Sequence, residues 1–104
     1  MKRVVITRTA FKDLARVWSY IATDSIDAAD RVRDDIEVAI RSLAQMPGMG
    51  HQRSDVKNPA YRFWRVHSYL IAYRIAGESF YVSRVVHGAQ NLRRIFRSSG
   101  RKRN

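Results

Sequence analysis

The sequence predicts an α+β domain in the order β-α-α-β-β-β, a helical hairpin packed on a small, mostly antiparallel sheet. Two adjacent segments repeat apolar residues every three or four positions, the period of a half-buried helix. Three later segments are instead rich in aromatic and β-branched residues, which suit a pleated, half-buried surface. Between the two regimes lies Met46-Pro47-Gly48-Met49-Gly50, where a proline and two glycines stop a helix.

The elements follow in order. Val4-Val5-Ile6 is a short β-branched strand, apolar on both faces and so expected in the sheet interior, although an edge position also fits. Thr7 or Thr9 caps the helix that follows by accepting a backbone N–H at its open end. Phe11, Leu14, Ala15, Trp18, Ile21 and Ala22 form its apolar stripe. Thr23-Asp24-Ser25 interrupts it, and Ser25 caps a second helix whose N-terminus collects Asp24, Asp27 and Asp30, where the helix dipole favours negative charge. Ala29, Val32, Ile36, Ile40 and Leu43 are its buried stripe. So short a link between two amphipathic helices implies an antiparallel hairpin. Residues 51–60 are polar and read as a loop. Three strands follow, at 61–67, 69–75 and 80–87, and Ala76-Gly77-Glu78-Ser79 turns the last two into a hairpin. A short helix is expected over 88–97. The domain is therefore residues 1–97, and 98–104, basic and without an apolar anchor, is expected to be a disordered tail.

Composition narrows the function. The 104 residues carry a formal charge of +11, with twenty Lys and Arg against nine Asp and Glu. The excess is uneven: residues 1–45 hold eight basic and seven acidic residues, whereas 46–104 hold twelve and two. Sixteen of the twenty are Arg, whose planar fork suits phosphate and carboxylate. An anionic partner is expected, either nucleic acid or an acidic protein. The absence of cysteine excludes a thiol nucleophile and Cys-based metal sites, and the scattered His51, His67 and His87 imply no metal. With no signal-peptide pattern and no apolar run long enough to span a membrane, a cytoplasmic protein is expected.

Strand alternation supplies one constellation. Arg62, Trp64 and Val66 share one face, and Tyr61, Phe63, Arg65 and His67 the other. On the last strand Phe80, Val82, Arg84 and Val86 oppose Tyr81, Ser83, Val85 and His87. Arg62 or Arg65 is thereby expected beside Arg74 or Arg84 on an open sheet face, with His87 at the strand end. Such a face is compatible with RNA binding and phosphodiester cleavage, or with arginines that merely snorkel across a half-exposed sheet.

Phe11-Lys12-Asp13-Leu14 to Trp18-Ser19-Tyr20-Ile21, and Ser25 to Ala29, resemble the opening helices of the ParE/RelE toxin superfamily of type II toxin–antitoxin systems. Leu43 to Gly50, Tyr69 to Arg74, and Arg84-Val85-Val86-His87-Gly88-Ala89 are similar to its later landmarks, in order, over roughly residues 3 to 92. The resemblance implies the same fold and a toxin of one of two kinds. RelE-like members cut ribosome-bound mRNA; for that alternative Arg62, Arg65, Arg84 and His87 would be the catalytic set. Gly88 stands where those members carry a Tyr, and His87-Gly88-Ala89 with Leu92 looks like the ParE ending. Gln90 and Ile26 depart from the usual ParE pattern, in which Arg and Pro are frequent there.

The ParE-like branch implies a non-enzymatic inhibitor of DNA gyrase, with no cofactor and no metal. Its target contacts would be Arg84, His87, Arg93, Arg94, Ile95, Phe96 and Arg97. The resemblance also implies a cognate antitoxin, acidic and ParD-like with a ribbon-helix-helix N-terminal half, in a hetero-oligomer. It would dock on outward hairpin residues such as Val17 and Val38 and on an open sheet edge. A plain nucleic-acid-binding module is the third class.

Overall fold

A computed structural model describes the backbone of residues 2–99 and the side chains of 2–96. The order of elements is β1 (Arg3–Ile6), α1 (Arg8–Ala22), α2 (Ile26–Gln45), a single 3-10 turn (Pro47–Met49), β2 (Arg62–Val66), β3 (Tyr69–Ala76), β4 (Ser79–His87) and α3 (Leu92–Ser99). The predicted α+β class and β-α-α-β-β-β order are the observed ones. The sheet runs β1-β4-β3-β2, with β1 parallel to β4 and the other pairs antiparallel. β1 is an edge strand and not interior: a run apolar on both faces also suits a short edge beneath a helix. Its Val4 is 38% exposed.

Capping follows the sequence. Thr7 is the N-cap of α1 and Ser25 that of α2, each accepting the backbone N–H three residues on. The two helices are clamped where Trp18 Nε1 donates to Asp30 Oδ1 at 2.9 Å. The inner stripe of α1, however, is turned by about one residue from the expected one. Ala10, Asp13, Leu14, Val17 and Ile21 face the core, and Phe11 is 68% exposed. With α2's Ile36, Ile40 and Leu43 they cover Ile71, Tyr73, Phe80, Val82 and Val85 of the sheet. Each such fully buried side chain contributes roughly 1.5–3 kcal/mol.

The opposite sheet face is also covered, contrary to the expected open face. Val56 of the long loop and Leu92 and Phe96 of α3 bury Phe63, Leu70, Ala72 and Val86. α3 starts later than expected and continues through residues 98 and 99, while the rest of the expected tail, 100–104, lies outside the described residues.

One close approach locks the helix-to-sheet passage. The buried Tyr73 hydroxyl donates to Pro47 O and accepts from Gly50 N–H at 2.9 Å. A Cβ at residue 50 would lie 2.2 Å from that hydroxyl, so only glycine fits. Burial pushes the Tyr73 and Tyr69 phenols above the ordinary tyrosine value. Folding therefore favours the neutral phenol, and the stability it contributes is present below about pH 10 and lost as pH rises through the raised folded value. Tyr73→Phe, which orphans the Gly50 N–H, is expected to lower unfolding free energy by about 1–3 kcal/mol in urea at neutral pH. It should also flatten the alkaline decline seen in the parent chain.

Candidate functional site

The site begins with a charge where the sequence pattern suggested a solvent-facing one. Asp13 is 3% exposed, on the inner stripe of α1 where it crosses β4. There β1 has ended, and β4 shows an open edge. The Asp13 carboxylate fills it: Oδ2 accepts the Val85 N–H at 2.9 Å and Arg84 Nε at 2.8 Å, and Oδ1 accepts Arg84 Nη2 at 3.2 Å. Arg16 Nη1 adds a longer contact to Oδ1 at 3.4 Å. The buried anion is thus matched by a forked cation and a backbone donor, which is what makes its burial tolerable.

Arg84 reaches this position because β4 carries a bulge. Register pairs Ala72 with Arg84 but Tyr73 with Val82, so Ser83 is an extra residue. Before it Phe80 and Val82 face the helices; after it Val85 and His87 do, and Arg84 and Val86 fall on the α3 face. A one-residue slip inverts every later side chain. The face assignment from strict alternation is corrected accordingly.

Below this ion pair an open cleft of about 570 Å³ separates the hairpin from the ends of β3 and β4. Val17, Ile21, Val32 and Tyr69 line it, with Arg16, His67 and His87 among the polar groups beside them. Val17 is therefore half-buried and turned into the cleft, not outward on the hairpin, because the α1 stripe is rotated; Val38 does project outward, 52% exposed. His67 occupies the two-residue β2–β3 turn with a positive φ of 54° and is held there by Asp35, Nε2 to Oδ2 2.7 Å.

The four residues of the RNA-cleaving alternative are not gathered into one site: Arg84 and His87 both line the cleft, whereas Arg62 and Arg65 do not. Arg62 lies on the helix face with its Nη1 on Gly50 O at 2.8 Å. Arg65 lies on the other face, its guanidinium laid across Gly88, where a Cβ would meet Nη2 at 2.9 Å. Arg84 is engaged by Asp13. His87, exposed on the helix face, pairs with Tyr69, four residues along β3 from the partner of Arg62. Its Nδ1 accepts the Ala89 N–H at 3.0 Å, and its ring meets Tyr69 edge-on. Among the described residues no group of three or more acidic or histidine side chains is placed to hold a metal.

α3 divides the expected target-contact set. Arg93 and Arg94 are exposed, whereas Ile95 is half-buried and Phe96 packs against Phe63 and Tyr61. Phe96 is a core residue and offers its ring inward. The Arg97 side chain lies outside the described residues.

The family model for the ParE toxin of the type II toxin–antitoxin system parDE matches residues 4–92, most of the chain. The chain belongs to the ParE toxin family. Among curated toxins it is similar to ParE3 of Caulobacter vibrioides, 31% identical over 93 residues that cover 88% of this chain and 92% of that protein. It is also similar to RelE3 of the same organism, 27% identical over 90 residues covering 86% and 98%. A solved structure of the chromosomal ParDE system from P. aeruginosa shares the fold, with a TM-score of 0.70 at 21% identity over 84% of this chain and 96% of that one. Among the described residues of this toxin no helix is long and apolar enough to cross a membrane.

Replacing Asp13 by Ala leaves Arg84 and the Val85 N–H without a partner, and is expected to cost about 3–5 kcal/mol in urea unfolding. Adding Arg84→Met to that variant should recover part of the loss, giving a coupling above roughly 1 kcal/mol in a double-mutant cycle.

Proposed function

We propose that this ParE-family chain is a non-enzymatic toxin that binds DNA gyrase, blocks replication, and is neutralised by a cognate acidic antitoxin. The observation that carries the reading is the dispersal of Arg62, Arg65, Arg84 and His87, two of them across opposite faces and one tied to Asp13. General acid–base work needs its groups within hydrogen-bond reach of one reacting phosphate. A binding toxin has no such need. The exposed Arg93 and Arg94 of α3 are cations offered to the target, and His87 is exposed separately on the helix face.

The antitoxin reading rests on shape and charge. The cleft between hairpin and sheet has apolar walls that include Val17 and a cation at Arg16, a fit for an acidic amphipathic segment. Val38 extends the apolar surface on the outside of α2, and the β1 edge leaves alternate backbone groups unpaired on its outer side. A ribbon-helix-helix half of the same antitoxin would make the complex a hetero-oligomer, and the cytoplasm is where gyrase and DNA would be met.

Molar excess of the full chain, freed of antitoxin, is expected to inhibit supercoiling by purified gyrase, and antitoxin should restore it. Unchanged supercoiling would overturn the reading. Arg16→Glu at the cleft rim should weaken antitoxin binding by about tenfold, chiefly through a slower on-rate with a shallower salt dependence, measured by surface plasmon resonance.

A further inference from the structure

On the side of the sheet away from the cleft, a second cavity of about 400 Å³ opens where α1 begins beside α3. Its walls come from four separate segments: Thr7 and Thr9, Tyr61, Arg74, and Ser83 with Arg84; Ile95 and Phe96 close it. No acidic side chain lines it among the described residues. That is notable for Arg74, which is half-buried, stacked over the Tyr81 ring at 4.9 Å, and without a carboxylate partner among the described residues. Arg84 adds its remaining nitrogen, Nη1, since Asp13 takes only Nε and Nη2.

The hydroxyls divide clearly. Thr7 is consumed, donating to Ser83 O and accepting from Ala10 N–H. The hydroxyls of Thr9, Ser83 and Tyr61 make no hydrogen bond among the described residues. Ser83 is present at this wall because it is the bulge residue of β4. One unneutralised guanidinium with several unspent hydroxyls, set on different elements, matches an anion whose oxygens point in several directions. A phosphate group does this, whereas a carboxylate presents two oxygens in one plane. The volume lies in the range of small-molecule sites and exceeds what a bare phosphate needs, and the Tyr61 side chain gives an aromatic wall.

We propose that this cavity binds the phosphate group of a nucleotide-sized ligand, with Arg74 as the anchoring cation and Thr9 and Ser83 as hydroxyl donors. The site shares Arg84 with the antitoxin cleft, but Arg74, Thr9 and Ser83 line this cavity alone, and it does not depend on gyrase being the target. The ligand's phosphate has two sources, a free mononucleotide or the phosphorylated end of a short strand.

The test is an amide-resonance titration of the full-length chain with adenosine monophosphate, adenosine, and a 5′-phosphorylated dinucleotide. Saturable shifts at Thr9, Arg74 and Ser83 are expected with one or both phosphorylated probes and not with adenosine; which probe binds more tightly identifies the source. Arg74→Gln should raise the dissociation constant by at least about tenfold. Thr9→Val, at an exposed position that leaves the core untouched, should raise it by about threefold and guards against a folding defect in the first variant. Absence of saturable shifts, equal binding of adenosine, or an unchanged constant in both variants would overturn the proposal.

Discussion

A single buried carboxylate fixes how the helical hairpin meets the sheet. Asp13 stands where β1 has stopped covering the edge of β4, and it accepts from both a strand N–H and an arginine that would otherwise lack an acceptor there. Removing either side leaves a buried polar group without compensation, which is costlier than never having built the pair. The bulge at Ser83 belongs to the same arrangement, because without it Arg84 and Val85 would exchange faces. Cleft, sheet edge and basic face all take their positions from this junction.

The consequence for function is a separation of the arginines. Arg62 is spent on Gly50 O beside the Tyr73 lock, Arg84 on Asp13, and Arg65 lies across Gly88 on the far face. Gly88 matters here as an absence of side chain: the guanidinium occupies the volume that a larger residue would need. Positive charge that looked like one nucleic-acid face is therefore distributed among structural contacts, an exposed α3 surface and a half-buried cavity. A surface of this kind is suited to docking an acidic protein segment.

Much of the architecture was legible because period alone separates helix from strand. The stripe of α2 reads off Ala29, Ile36, Ile40 and Leu43, and the caps Thr7 and Ser25 sit where short polar side chains are useful. The phase of α1 was harder. Phe11 and Ala10 are neighbours, and a stripe phased on the larger apolar residue turns Val17 outward. An acid three residues after Ala10 on the true stripe, Asp13, is the available signal, but carboxylates on helices ordinarily face water. The bulge had no local mark, since Ser83 suits a regular strand, and pairing register is settled by partners far along the chain. The short helix α3 is visible in the sequence, but its burial of Phe63 and Leu70 depends on a sheet face that strand alternation alone leaves open.

The central claim is that this toxin acts by holding its target and not by cutting RNA. The most direct measurement is mapping of message 5′ ends in cells arrested by expression of the chain. Unaltered ends on ribosome-bound message during full growth arrest are what the account predicts; new ends in register with codons would contradict it.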